Sequence, residues 1–590
     1  MKVNKYIGVT MMAAGVLAAA SCTDFDDYNK EVADTTASAT STLWENIKQN
    51  SQLSDFAQLV QKAGFDDELS QTHYYTVWAP LNGTFDASAF QNLGNSSLLR
   101  QFVKNHIADY RHSATGALDE RVLMLNEKSY DFAGGAAYTF GEVPVSQANL
   151  PSSNGLIHTL QGAVPFYPNL YEFITDSTLA IGKNIDSLRH YFQKYELTYL
   201  DEDASVPGPI VDGMQTYVDS VMVTENTLWS MMNVLMTNED STYTVLMPTN
   251  DAWLNTYNRI KSYYNYAPTT NAEAFQGGNI SATPSTLTID NAYWQDSLTS
   301  SHLVRNLFFS NNDIYNQWIE GTPSAYGSDT IRSTIRNKFS NPRDILAQAK
   351  QTVELSNGKG YIVDSLAMYP WETYAPEREV LAASSNNIGR VATGSYTTHR
   401  VHVVGENNQE NEDFSYIHVI PSGGYARPEL DLFLPGVLST TYSFYCVFAY
   451  PVDDSSVADS TLLPNRVIFT LNYCDEKGAL KDYTFLDESE ENISAFQERF
   501  NLTDNNTNRT TIRAFSNNPK LLKDTVYLGD FTFPVCYAGL GDEYRPNIKI
   551  TSPFSVFNRN LMAAYTRDLR IAAIIMKPKE LVAFEESNKQ

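Results

Sequence analysis

The chain has 590 residues, enough at about 100 to 200 residues per domain for several packed units. With 43% apolar and 19% charged residues it lies near globular averages, which excludes wholesale disorder. Lys and Arg number 42 against 68 Asp and Glu, a formal net charge of −26; that field repels polyphosphate and anionic headgroups and excludes nucleic acid from the expected partners.

The first 21 residues carry Lys2 and Lys5, a mostly apolar run over 6–17, and then Ala18-Ala19-Ala20-Ser21 before Cys22. This is the layout of a secretory signal, and the run is too short for a membrane span. A cysteine directly after small residues resembles a lipobox, with Ala19 where Leu is commoner. That implies cleavage before Cys22 and acyl chains on its thiol and new amine. The acidic Thr23-Asp24-Phe25-Asp26-Asp27 resembles the export signal by which some diderm bacteria place lipoproteins on the cell surface. The expected location is therefore the outer membrane, lipid-anchored and facing outward, with residues 22–41 as lipidated cysteine and flexible stalk.

In the stretch 42–64, Leu53, Phe56, Ala57 and Val60 recur at helical spacing, and Gly64 stands where a C-cap needs positive φ. Tyr75-Thr76-Val77-Trp78-Ala79-Pro80 reads as a strand, with Asn82 and Thr84 turning the chain before Phe85. A helix is expected over 98–107 and strands over 122–145. Ser153-Asn154-Gly155 then turns into the strand Leu156-Ile157-His158-Thr159-Leu160. This unit, 42–168, resembles a fasciclin domain, with the two family signatures at 75–85 and 154–160. The resemblance implies a small twisted β-sheet with helices packed around it, used for adhesion or ligand presentation without catalysis.

A second copy is expected over 169–375. Tyr243-Thr244-Val245-Leu246-Met247-Pro248 repeats the first signature and Asn357-Gly358-Lys359-Gly360-Tyr361-Ile362-Val363 the second. A helix over 188–195 opens it, and His302-Leu303-Val304-Arg305-Asn306-Leu307 resembles the family's central helix. About 35 more residues separate the signatures than in the first copy. These insertions are expected over 257–294, with some over 318–340. Animal fasciclin proteins place a Tyr-His pair in the central helix for integrin contact; here the first copy has Asn105-His106 and the second lacks the histidine, so integrin binding is not expected. His158, replaced by Tyr361 in the second copy, reads as a hydrogen-bonded structural residue rather than a ligand or base.

From 376 to 590 the pattern becomes short alternating segments, at 400–404, 414–420, 430–434, 442–450, 466–473, 525–533 and 569–576, which predicts an all-β sandwich or jelly roll. Tyr565 to Ile575 loosely resembles the closing strand of carbohydrate-binding jelly rolls. The expected fold class is thus α+β: two fasciclin-like domains followed by an all-β domain. Cys446, Cys474 and Cys536 sit in alternating apolar segments and read as buried free thiols; an oxidising surface leaves room for one bridge, and sequence selects no pair.

No common catalytic motif occurs, so an enzyme, a cofactor and a metal are not expected, although a glycan-cleaving enzyme needs only two carboxylates. Tyr263, Tyr264, Tyr266, Trp294 and Trp318, in predicted loops, are candidate contacts for sugar rings or a protein partner; the alternative is that they pack on their own scaffold. Asp-(Ser/Thr)-apolar triplets such as Asp186-Ser187-Leu188 and Asp219-Ser220-Val221 resemble bacterial O-glycosylation acceptors. The leading expectation is an accessory binding subunit of an outer-membrane nutrient uptake complex for glycan or peptide. Lipoproteins of this build accompany TonB-dependent transporters and their lid lipoproteins, which is what the resemblance implies. The alternative is a stand-alone adhesin. For the anchor, Cys22→Ala should abolish palmitate labelling and release the mature protein from membranes; unchanged labelling would overturn the lipobox reading.

Overall fold

The computed structural model describes residues 40–589 except 181, 212, 273–274, 277–278, 281–284, 321–329, 404–411, 450–462, 464, 486–511, 515–522 and 542–543. The signal, Cys22 and the stalk lie outside the described residues. The chain gathers into two compact units. One comprises residues up to Phe173 with Thr237–Asp240 and Glu354–Asn357; the other comprises Ile174–Met236, Ser241–Val353 and Gly358–Gln590. The stretches expected as a second copy and as an all-β domain therefore share most of one unit.

The first unit begins with the helix Leu43–Gln49, whose Thr42 and Glu45 form a reciprocal capping box. The helix Ser54–Ala63 buries Phe56, Ala57, Leu59 and Val60 and ends at left-handed Gly64, as the spacing predicts. Strand Tyr75–Pro80 is buried throughout and pairs in parallel with Gly155–Leu160, from Tyr75↔Gly155 to Pro80↔Leu160. Five further strands complete a seven-stranded sheet. The expected helix at 98–107 is instead a chain of short turns: α-helical Asn95–Leu98, π-helical Leu99–Val103 and a 3-10 turn Lys104–His106, after which Ile107 enters a strand.

Asn154 explains why the turn before the buried strand is specific. Its side chain, 4% exposed, accepts from the Leu43 amide at 2.7 Å and donates to the carbonyls of Leu69 and Gln71 at 3.0 and 2.6 Å. One amide thus ties the first helix and the 3-10 turn Glu68–Ser70 to the strand end. At Gly155 any Cβ would collide with the Tyr75 carbonyl oxygen.

The second signature pair repeats the geometry: Tyr243–Pro248 pairs in parallel with Gly358–Val363, from Tyr243↔Gly358 to Pro248↔Val363. Gly358, at φ 142°, again excludes a Cβ because of the Tyr243 carbonyl. Asn357 is fully buried, accepts from the Leu170 amide at 2.9 Å and donates to the Asn238 carbonyl at 3.2 Å. The helix Asp186–Gln193 forms as expected. The segment 257–294 holds the end of helix Asn250–Lys261, two small strand pairs and the start of helix Asn291–Val304.

A buried ion cluster completes the first unit. The Lys128 side chain is 2% exposed and its Nζ lies 2.8 Å from both Glu172 Oε2 and Glu239 Oε1, with Ser356 Oγ at 3.3 Å.

Residues 376–589 build two six-stranded antiparallel sheets. The first has the order Gly394–Val403, Glu412–Pro421, Leu569–Pro578, Thr441–Ala449, Lys523–Thr532, with Arg378–Leu381 also on Leu569–Pro578. The second has the order Ile388–Ala392, Glu429–Phe433, Asn547–Thr551, Asn465–Cys474, Leu480–Thr484, with Ile512–Ala514 also on Asn465–Cys474. Ile417, Val419, Phe444 and Ile571 of one meet Leu430, Leu432, Phe469 and Ile550 of the other in a single core. All seven segments expected from alternation are strands; Arg378–Leu381, Ile388–Ala392, Leu480–Thr484, Ile512–Ala514 and Asn547–Thr551 are additional. Cys446, Cys474 and Cys536 are buried and none is in a disulfide; burial raises the thiol of Cys536 to about 12, which keeps it protonated.

His106 and His158 are fully buried. His106 Nδ1 donates to the Phe102 carbonyl at 2.8 Å while Nε2 accepts from the Val164 amide at 2.9 Å. Asn105 Nδ2 reaches the Val164 carbonyl at 3.2 Å, so the pair clamps the segment after the second-signature strand. His158 Nε2 donates to the His112 carbonyl at 2.9 Å, and the ring stacks on Trp78, 5.5 Å between centroids. Both are structural groups, as read for His158.

Two measurements check this core. Asn154→Ala leaves buried partners unsatisfied and should lower the stability of the first unit by about 1 to 3 kcal/mol, read as a shifted urea midpoint; an unchanged midpoint would contradict the hub. Burial lowers both histidines from 6.5 to about 4. The unfolded chain takes up protons near 6.5 and the folded one only near 4, so stability is level above 6.5 and falls on acidification toward 4. The expected slope is about 1.4 kcal/mol per pH unit for each histidine. His106→Gln should flatten the stability–pH curve above about pH 5, where carboxylates contribute least; parallel curves for the two proteins would sink the assignment.

Candidate functional site

The aromatic residues expected as ligand contacts lie largely inside the protein. Tyr263, Tyr264 and Tyr266 are 6%, 1% and 3% exposed. They follow the helix Asn250–Lys261 and face the β-rich region within the same compact unit. Tyr263 Oη donates to Glu580 at 2.6 Å and its ring meets Tyr374; Tyr264 stacks on His302; Tyr266 Oη donates to the Ala538 carbonyl at 2.6 Å. Backbone bonds reinforce the seam, with the Cys536 amide donating to the Asn265 carbonyl at 2.7 Å and Ser439 to that of Tyr263 at 2.9 Å. Desolvation raises the pKa of all three phenols, which stay protonated as donors.

Trp294 is half-buried, its ring 6.4 Å from that of Tyr266 and close against Gly539. Trp318 lies in the 3-10 turn Gln317–Glu320, and its side chain lies outside the described residues. The expectation of a displayed aromatic platform is corrected for the three tyrosines: a large apolar ring with one polar tip suits an internal seam as well as a ligand face, and here the tips are taken by the chain itself.

A concave candidate lies elsewhere among the described residues. A cavity of about 450 Å³ lies on the first sheet of the β-rich region, and every one of that sheet's six strands contributes to it. Leu381, Val447 and Ala572 give it an apolar floor, Arg400 and Lys523 bring cations, and Glu379 and Asp413 bring carboxylates. Lys523 Nζ lies 5.2 Å from the centre of the Phe414 ring, and Asp413 Oδ1 lies 2.8 Å from His402 Nδ1. The volume falls in the range of small-molecule sites. Cations that donate, carboxylates that accept and one aromatic face match a neutral ligand rich in hydroxyls better than a phosphate, which Glu379 and Asp413 would repel. Sequence reasoning missed this set because its members are scattered from Glu379 to Ala572 and meet only through sheet order.

Among the described residues, no three His, Cys, Asp or Glu side chains gather as a metal site, and no helix is long and apolar enough to cross a membrane.

Comparison with known proteins places one part of the chain. The family model described as "Fasciclin domain" matches residues 51–163. Transforming growth factor-beta-induced protein ig-h3 of Sus scrofa is 27% identical over 125 residues, which is 20% of this chain and 18% of that protein. The chain thus spans less than a fifth of that relative's length. Among solved structures, a domain pair from the insect cell adhesion molecule fasciclin I covers 54% of this chain and 98% of its own at 14% identity and a TM-score of 0.18. The enzymatically active domain of bacteriophage CBA120 tailspike protein 4 covers 37% and 22% at 10% identity and a TM-score of 0.16. Superposition at that level carries no argument for either, and the family model and the curated relative decide: residues 51–163 of this chain are a fasciclin domain.

Proposed function

We propose that this protein is a non-catalytic binding protein of the cell surface, of adhesion type, held in the outer membrane by acylated Cys22. It carries two fasciclin-like units and a C-terminal β-sandwich whose cavity takes a hydroxyl-rich, glycan-type ligand. The fasciclin domain at 51–163 carries this reading. The repeated parallel strand pair at 243–248 and 358–363 supports a second unit, and the mixed-charge lining with Phe414 supports the ligand class.

A second reading, an accessory subunit of a TonB-dependent nutrient transporter and its lid lipoprotein, is favoured by one observation. The strands Glu196–Val211 and Met214–Asn226 expose apolar side chains, which a protein partner would cover.

Recovery of a tagged copy from gently solubilised outer membranes separates the two. An adhesin comes out alone and confers attachment on cells that display it; a subunit brings a transporter and lid in stoichiometric amount. Release of reducing ends from a polysaccharide panel would overturn both. If the cavity binds glycan, Phe414→Ala and Arg400→Ala should each weaken affinity about tenfold, measured by calorimetry on a polysaccharide the parent protein binds; equal affinities in parent and variants would move the site elsewhere.

A further inference from the structure

Between the helices Asp186–Gln193 and Leu228–Met232 the chain runs out along Glu196–Val211 and back along Met214–Asn226. The two strands form a sheet of their own, in register from Glu196↔Asn226 to Val211↔Met214, and no third strand joins them among the described residues. The ribbon is closed at its base, where the Thr227 amide donates to the Tyr195 carbonyl at 3.2 Å. A ribbon of two strands is marginally stable in water unless something covers a face. Here Ile210, Met214 and Val218 are 70%, 71% and 76% exposed, and Val206, Val211 and Met222 are more than half exposed. Exposed apolar surface concentrated on one element marks an interaction site.

Charge selects the kind of partner. From 196 to 226 the sequence holds Glu196, Asp201, Glu202, Asp203, Asp212, Asp219 and Glu225 and not one Lys or Arg. Edge strands of soluble proteins are commonly guarded by lysine, and this one is not. A second copy would bring the same acidic ribbon on a chain of net charge −26, and anionic headgroups would be repelled in the same way. We propose that the 196–226 ribbon is a docking arm for another protein, whose apolar groove receives Ile210, Val211 and Met214 and whose rim carries Lys and Arg that meet the arm's carboxylates. Such docking accords with the accessory-subunit reading, which the same exposed strands favour, and does not depend on it.

The test places a photo-crosslinking residue at Ile210, at Met214 and, as a control, at exposed Asn92 in the full-length protein in its own cells. The two arm positions should capture one and the same protein, absent from the control, through peptides in which apolar residues flank Lys or Arg. Yield should fall about tenfold from low to physiological salt and comparably in E202Q/D203N/E225Q. Replacing 197–225 by a short turn between Glu196 and Asn226, which keeps the buried Asn226 side chain on the Phe192 carbonyl and the Leu228 amide, should abolish capture while leaving the thermal midpoint of the rest unchanged. Capture of a second copy, of lipid alone, of a peptide without basic residues, or of nothing would overturn the proposal. Capture as expected of a protein that is neither a transporter nor its lid would retire the transporter-subunit reading and leave the arm standing.

Discussion

The fold depends on a parallel pairing between two short buried strands that stand far apart in sequence, Tyr75–Pro80 and Gly155–Leu160. Parallel neighbours cannot be joined by a tight turn, so whatever lies between them serves as a crossover. That requirement explains the order of the first unit: helical turns, then an antiparallel run of strands, then return. It also explains why the residues before the returning strand are so constrained. The backbone must pass against the Tyr75 carbonyl, which only glycine allows, and the carbonyls and amide exposed by that approach need a buried amide side chain to receive them. Asn357-Gly358 meets the same demand in the second instance, with a longer and differently built crossover, because the pairing constrains only its two ends.

This separates what the sequence made legible from what it hid. Strands buried on both faces, turns needing Asn-Gly and helices with an apolar stripe declare themselves locally, so the signature segments and the end of helix Ser54–Ala63 at Gly64 were readable, whereas the break of 42–64 into two helices around the 3-10 turn Ser51–Leu53 was not. The segment around Phe102 was readable as helical but not as α, π and 3-10 turns in succession, since what breaks its regularity is the clamp that Asn105 and His106 make on Val164, 59 and 58 positions away. The strands missed among the two stacked sheets are short or mixed in polarity, and the cavity residues share no local pattern. The acidic ribbon escaped notice because its alternation is blurred by irregular register between Asp201 and Val206 and by Pro207-Gly208-Pro209.

The buried tyrosines show how one chemical type serves opposite ends. A tyrosine offered to solvent invites a sugar; one whose hydroxyl finds Glu580 of the C-terminal helix or the Ala538 carbonyl ties distant stretches of the chain together instead. Here that tie makes the stretch after the Asn250–Lys261 helix continuous with the β-rich region, and it moves the search for a ligand from those rings to the charged concavity around Phe414.

Lys128 carries an implication for the order in which the chain is completed. Of its partners, Glu172 stands just past the end of the fasciclin match at residue 163, while Glu239 and Ser356 follow the lysine by 111 and 228 positions. A buried cation deprived of a partner costs about 3 to 5 kcal/mol. During synthesis from the N-terminus, the domain therefore emerges with a lysine that water must still solvate, and it closes around that side chain only when far later segments arrive. A piece cut at the family boundary would keep this half-finished state permanently, so the earliest part of the protein is among the last to be sealed.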